Sequence, residues 1–310
     1  MTLIQTVATN DITILVADRR LTNGATGGVV DDEFTKLVCW NMSYGIGFTG
    51  LARIDPAQRK STSEWIAEKV CDYPEFMPGV QALGYHMREQ IKKLPKWWPD
   101  KRLGIVVAGY DGDGNPRAAE INNFGPDPDP TDVKVNFLVP YPGQTSNYHI
   151  SGGPLATDWH RQVLQRRIPR MLKQPNGVAR AVQLMVALQR ELAKSNTGIG
   201  TDAMAVTIPK TSAEPMILSN VDGNAIIGTG TCEFHYYDTN GYDYRQMGPH
   251  IAGGGTAWAD FVAEAEPDNP DMQRIGVRCL RWPQPPTAHT GDQPDATPDQ
   301  PDAAPHREAT

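Results

Sequence analysis

The sequence predicts an α+β fold built in layers rather than a doubly wound sheet. Three observations carry this. The chain opens with apolar, β-branched runs of strand length, its helical periodicity comes as two adjacent pairs, and strands return after each pair. With 310 residues, 39 % of them apolar and 21 % charged, the chain is long enough for a sizeable core.

The elements follow in order. Leu3 to Ala8, rich in apolar and β-branched residues, reads as a strand, Asn10-Asp11 as a turn and Ile12 to Ala17 as a buried strand. Thr22-Asn23-Gly24 and Gly27-Gly28 mark a loop. Lys36 to Trp40 and Tyr44 to Phe48 are the next strands, joined at Asn41. Ser61 or Ser63 caps a helix running to about Cys71, and a second helix runs from Gly79 to Lys93. Strands resume at Leu103 to Tyr110 and Arg117 to Ile121, around the turn Asp111-Gly112-Asp113-Gly114-Asn115. The loop Pro126-Asp127-Pro128-Asp129-Pro130 excludes regular structure. The second helix pair covers Ala156 to Leu172 and Val178 to Ala193. The latter places Val178, Ala181, Val182, Met185, Leu188 and Leu192 on one face. Ala203 to Ile208 and Met216 to Ser219 are strands.

These elements define a domain over residues 1–219. Residues 220–282 mix Gly-rich turns with aromatics and are expected to pack on that domain as a C-terminal extension. From Pro283 the chain has almost no large apolar residues, and Asp292-Gln293-Pro294-Asp295-Ala296 nearly recurs at Asp299-Gln300-Pro301-Asp302-Ala303. Such a segment (283–310) cannot offset its own ordering entropy and is expected to be disordered.

Composition also excludes function classes. A net charge of −7 opposes a general nucleic-acid or anionic-membrane binder. No apolar run approaches the roughly 20 residues that span a bilayer. The opening residues lack the basic start and apolar stretch of a secretory signal, so a cytoplasmic location is expected by default. Cys39, Cys71, Cys232 and Cys279 lie far apart without a CxxC pair, which predicts free thiols. No cofactor or metal is expected.

The residues with most chemistry in them lie in the first fifty. Met1-Thr2-Leu3-Ile4-Gln5-Thr6, the strand end Val16-Ala17-Asp18-Arg19-Arg20, then Lys36 and Gly47-Phe48-Thr49-Gly50-Leu51-Ala52 together resemble a proteasome β-type subunit. Val106-Val107-Ala108-Gly109-Tyr110-Asp111 resembles that family's central strand, Ile150-Ser151-Gly152-Gly153 its Ser-Gly turn, and Thr197-Gly198-Ile199-Gly200-Thr201-Asp202 its late Gly-rich stretch. The resemblance runs in order over residues 2–210. Taken singly, each piece has a plainer explanation: threonine after an initiator methionine is commonplace, Ala-Asp-Arg-Arg usually ends a strand at the surface, and a strand lysine is usually solvated. Order and spacing distinguish the set, because one short hairpin separates Thr2 from Asp18.

The resemblance implies a four-layer αββα sandwich and the N-terminal-nucleophile chemistry of that superfamily. Thr2, exposed when Met1 is removed, would attack an amide carbonyl of a peptide or protein substrate. Its own α-amine would act as base, since an α-amine titrates near about 7.7–8.0 against about 10.4 for lysine. By the same resemblance Lys36 lies beside the Thr2 hydroxyl, Asp18 holds Lys36, and Arg20 supports the strand. Gly50 N–H is the oxyanion donor, Ala52 shapes the substrate pocket, and Ser151 orients the amine with support from Thr197. Self-association into a ring or a stacked dimer is a further expectation of the family.

Two departures stand out. The loop between Arg20 and Lys36 is slightly longer than in the family, and Lys194 stands where the family has an Asp. The same nucleophile could instead serve a transpeptidase. A non-catalytic assembly protein like the proteasome α-type subunits is the alternative of another class, although those chains carry an extra N-terminal helix where this one begins with a strand.

Other signals carry less. Asp111 to Asn115 mimics a calcium loop, but Pro116 and Asn122 replace its required Gly and Glu, leaving a hairpin turn. Cys232-Glu233-Phe234-His235 lacks the second ligand pair of a zinc site. Trp97-Trp98 reads as helix-end packing. Gly253-Gly254-Gly255 is read as preceding a helix and offers only a weak phosphate-site pattern.

Overall fold

In the computed structural model of the chain, the described residues are 3–23, 26–57, 59–98, 100–125, 129–138, 147–151, 158–210, 216–219, 225–228, 232–237, 245–266 and 269–282. The proposed tail, 283–310, lies outside them, as does most of the 126–130 loop. Among the described residues the fold mixes four helices with several sheets, as an α+β reading requires.

The chain begins in a five-stranded antiparallel sheet. It contains β1 (Ile4–Ala8) and β2 (Ile12–Asp18), with three strands from later in the chain beside them. Every residue of β2 is buried. Its alternate side chains serve two different clusters: Ile12, Ile14 and Val16 join one, Leu15 and Ala17 the other. That two-sided burial explains why Thr13 is the one polar residue between Ile12 and Ala17.

A short hairpin follows, β3 (Leu21–Thr22) and β4 (Val29–Asp31), where the sequence predicts only a loop. Asn23 N–H donates to Gly28 O at 2.8 Å and Gly27 N–H to Asn23 O at 2.8 Å, with Gly27 at φ 71°. The glycine therefore makes the turn that lets the flanking residues pair.

Strands β5 (Leu37–Trp40) and β6 (Tyr44–Gly50) start the second sheet. Helix α1 (Thr62–Val70) is capped by Ser61, which forms a capping box with Glu64. Helix α2 (Phe76–Lys93) begins three residues earlier than the periodicity suggests. Pro78 falls in its first turn, where a missing N–H costs nothing. Strands β7 (Leu103–Tyr110), β8 (Pro116–Asn122) and β9 (Lys134–Phe137) continue the sheet. The turn between β7 and β8 is the expected hairpin, with Asp111 Oδ1 accepting Asp113 N–H at 3.0 Å and Asn115 N–H at 2.8 Å. Both helices share one hydrophobic cluster with this sheet, including Trp40, Ile46, Ile66, Leu83 and Ile105.

Strand β10 (Asn147–Ser151) returns to the first sheet. Helices α3 (Asp158–Leu172) and α4 (Gly177–Ser195) follow, then β11 (Ala203–Pro209). Ala181, Val182, Met185 and Leu188 of α4 and Leu164 and Ile168 of α3 pack with Ile14, Val16 and Ala205. A third cluster draws on both sheets: Ile4, Leu15, Ala17, Met204 and Val206 from the first, Leu37, Ala108, Tyr110 and Ala118 from the second.

Beyond Pro209, β12 (Met216–Ser219) and β13 (Ala225–Gly228) pair with each other. Strand β14 (Glu233–Tyr237) completes the first sheet, whose order is β10-β1-β2-β11-β14. Strands β15 (Arg245–Met247), β16 (His250–Gly253), β17 (Thr256–Glu266) and β18 (Asn269–Arg281) extend the second sheet to nine strands, with β16 parallel to β5. The segment after 219 is therefore hydrogen-bonded into both sheets. Gly253-Gly254-Gly255 does not precede a helix: it turns β16 into β17, with Gly254 and Gly255 at φ 57° and 79°. Left-handed backbone at consecutive glycines favours a hairpin over a helix start. Among the described residues no helix is long and apolar enough to cross a membrane.

Candidate active site

The strand ends fix where the chemistry gathers. Ile4 pairs with Ala17 and with Ser151, and Asp18 pairs with Ala203. The start of β1, the ends of β2 and β10 and the start of β11 thus lie at one end of the five-stranded sheet. In the other sheet Leu37 pairs with Gly47, so Lys36 and Gly50 leave the β5–β6 pair at one common end.

Asp18 joins these two ends. Its carboxylate is fully buried and accepts four hydrogen bonds from the described residues. Oδ1 takes Leu3 N–H at 2.8 Å. Oδ2 takes Lys36 Nζ at 2.9 Å, Arg20 N–H at 3.1 Å and Gly200 N–H at 3.2 Å. Four bonds fill the acceptor capacity of one carboxylate.

Lys36 is 2 % exposed, and its Nζ also donates to Arg20 O at 2.5 Å. Burial pushes the Lys36 ammonium below its ordinary range, and the Asp18 carboxylate offsets part of that shift. An ammonium carries three protons. Among the described residues, Asp18 and Arg20 O are the two acceptors that Lys36 Nζ has. Burying such a pair has a large desolvation cost, so the arrangement is weak evidence of a purely stabilising role.

The surroundings hold the carboxylate and the amine in place. Arg20 forms a salt bridge to Asp32 at 2.6 Å and donates to Thr197 O at 3.2 Å, so the two supporting residues meet. Arg19, 1 % exposed, donates to Glu33 O and stacks its guanidinium 4.8 Å from the Tyr236 ring. Burial pushes its pKa down, opposed by Tyr236 and the nearby carboxylates.

Gly50 ends β6 at φ 99°, and a Cβ there would lie 2.2 Å from Arg102 O. No other residue fits that backbone without moving β7. Ala52 is half-buried, and its carbonyl accepts Thr62 N–H at 2.8 Å, tying the Gly50–Ala52 turn to the start of α1. Ser151 is the last residue of β10, opposite Ile4. Met1 and Thr2 lie outside the described residues. Lys194 occupies the last turn of α4, 73 % exposed, with its Nζ 2.6 Å from Glu191.

Sequence reasoning missed Gly200 N–H, Asp32 and the burial of Arg19. One signal was readable: the acidic run Asp31-Asp32-Glu33 complements Arg19-Arg20 in charge. The Gly200 contact spans 182 residues and left no local trace. A concavity of about 310 Å³ lies elsewhere, between α4 and β14, lined by Val186, Arg190, Lys194 and Tyr237. It is open and shares neither Asp18 nor Lys36. A scan of protein-family models and a search of curated proteins found no match to this chain.

Proposed function

We propose that the chain is an N-terminal threonine amidohydrolase, a peptidase in which Thr2 attacks an amide carbonyl after loss of Met1. One observation carries the reading: a buried Asp18–Lys36 pair whose carboxylate also grips the N–H of Leu3, the residue after Thr2. A lysine proton without an acceptor among the described residues has its use in a hydroxyl or alkoxide brought close to it. Under this reading the Thr2 hydroxyl fills that role. Its proton passes to the α-amine as the carbonyl is attacked, and Lys36 stabilises the negative charge on the oxygen.

The remaining roles follow. Asp18 positions Lys36. Gly50 N–H is the oxyanion donor, for which a glycine-only backbone at the same sheet end gives support; a donor of this kind is worth about 10²–10³ in kcat. Ser151, at the end of β10 beside Ile4, orients the amine. Ala52 borders the substrate. The two helix pairs, each sharing a cluster with one sheet, and the cluster between the sheets support an αββα sandwich of the N-terminal-nucleophile type.

Intact-mass measurement tests the premise, since the mature chain must begin at Thr2. A peptide epoxyketone or boronate should then modify Thr2, and Thr2→Ala should abolish both labelling and amide cleavage. A chain retaining Met1 and inert to both reagents defeats the proposal. Added amine nucleophile separates hydrolysis from transpeptidation through the products formed. The second reading, a non-catalytic assembly protein, is favoured by Lys194, which faces outward to Glu191 where the family has an Asp. Amide cleavage that persists unchanged in Thr2→Ala would leave that reading standing.

A further inference from the structure

Cys39 and Cys232 are 193 residues apart in sequence, yet their sulfurs lie 3.0 Å apart. Cys39 is a fully buried residue of β5 in the nine-stranded sheet. Its side chain alternates with Val38 and Trp40 of the helix-side cluster, on the same face as Leu37. Cys232 immediately precedes β14, the edge strand of the five-stranded sheet, and packs with Phe234 against the cluster between the sheets. Met42 sits over the pair: its carbonyl accepts from Cys232 Sγ at 3.0 Å, and its sulfur is 3.8 Å from Cys39 Sγ. A disulfide needs sulfurs at about 2.05 Å, so closure requires an approach of roughly 1 Å.

We propose that Cys39 and Cys232 are a modification site, where a small-molecule disulfide such as oxidised glutathione installs a reversible bond that staples β14 to β5. Cys232, partly exposed where Cys39 is buried, meets the reagent first. Its thiol gives up a proton, and its sulfur attacks one sulfur of the glutathione disulfide. That S–S bond breaks and releases one glutathione, which takes up the proton. Cys39 then loses its proton and attacks the Cys232 sulfur of the mixed disulfide, displacing the second glutathione as a thiol. Two protein thiols are oxidised and one glutathione disulfide is reduced to two thiols. The hydrogen bond with Cys39 and then burial hold the Cys232 thiol well above its ordinary pKa. The thiolate is therefore scarce and the first step is slow at neutral pH.

The bond has a structural consequence. Strand β14 is the outer strand of its sheet, paired to β11, and its Tyr236 stacks on Arg19 next to Asp18. A covalent tie at Cys232 restrains that strand against the other sheet and closes a very long loop, the case in which a cross-link restricts the unfolded chain most.

The test uses the full chain incubated with oxidised glutathione, alkylated and digested without reductant. A cross-linked peptide pair containing Cys39 and Cys232 is expected, with Cys71 and Cys279 alkylated. The Tm should rise by on the order of 5–10 °C and return on adding dithiothreitol. Cys232→Ser should lose both the cross-link and the rise. The wild-type digest stands by itself should that variant fail to fold. Full alkylation of Cys39 and Cys232 after denaturation, a glutathione adduct that persists on Cys232, or a cross-link between other cysteines overturns the proposal.

Discussion

At the scale of single residues, the Lys36 ammonium and the Asp18 carboxylate depend on each other, because both are removed from water and each is the other's counter-charge. Removing one leaves the other buried and uncompensated, which typically costs about 3–5 kcal/mol. Asp18→Asn and Lys36→Met are each expected to lower unfolding free energy by about that much, measured by urea denaturation. The double variant should cost clearly less than the sum. Additive costs would show that the two side chains are energetically independent. The glycine at position 50 is constrained by backbone rather than charge. Gly50→Ala places a Cβ against Arg102 O at φ 99°, so it should destabilise by about 1–3 kcal/mol and cut amide cleavage by about 10²-fold. An unchanged rate would remove Gly50 from the oxyanion role. Order and spacing single out Thr2, Asp18, Lys36 and Gly50 together, and of these the structure brings Asp18 and Lys36 into contact. Gly200 was not legible in this way, since it bonds Asp18 through a backbone N–H that every residue type but proline supplies.

At the scale of elements, the start of α1 brings together several strands. The Ser61–Glu64 capping box satisfies two backbone donors, and Arg278 of β18 donates to the same Glu64 carboxylate. Ser61→Ala should cost about 1 kcal/mol in thermal or urea unfolding; no loss would mean that Glu64 and Arg278 hold the helix end without it. Beside this cluster His250 of β16 is buried, and its Nδ1 has no hydrogen-bond partner among the described residues. Burial pushes its pKa down to about 4 from 6.5, with Glu64 and Asp260 opposing the shift and Arg278 adding to it. The folded state therefore favours neutral histidine. The stability it contributes is present above pH 6.5 and is lost as pH falls toward 4, up to roughly 3 kcal/mol. Urea midpoints at pH 7 and pH 4.5 should differ less in His250→Gln than in the parent chain. The helices of this region were legible from caps and periodicity. The β3–β4 hairpin and strand β9 were not, because such short, partly exposed strands carry little apolar pattern, and neither was the five-residue β10.

At the scale of the whole molecule, the last third of the chain completes what the first part begins. Strand β14 lies against β11, and β16 runs parallel to β5, the strand that follows Lys36. A chain ending at Ser219 would leave the edges of β11 and β5 unpaired and expose Val38, Trp40 and Met204 to weaker cover. Such a truncation should unfold without a cooperative transition and bind a hydrophobic dye. A sharp transition near that of the full chain would show that the first 219 residues are self-sufficient. Sequence reasoning set residues 220–282 apart as an extension because their short runs between glycines show no period. Most of these strands pair with near neighbours in the chain, while β14 and β16 reach β11 and β5; periodicity records neither kind of pairing.

Local pattern alone was enough for the succession of strands and helix pairs, the burial of β2, the hairpin after Tyr110 and the choice of Asp18 and Lys36 as candidates for one site. These are local properties: side-chain period, caps, turn chemistry and the spacing of one hairpin. Long-range packing was needed for Lys36 to meet Asp18 in a buried site, for Gly200 to bond the same carboxylate, and for Cys39 and Cys232 to face each other between the sheets. The Gly200 contact lies beside the β2–β11 pairing, while the other two join segments of different sheets, and the free energy that brings them together is the burial of both sheets against each other.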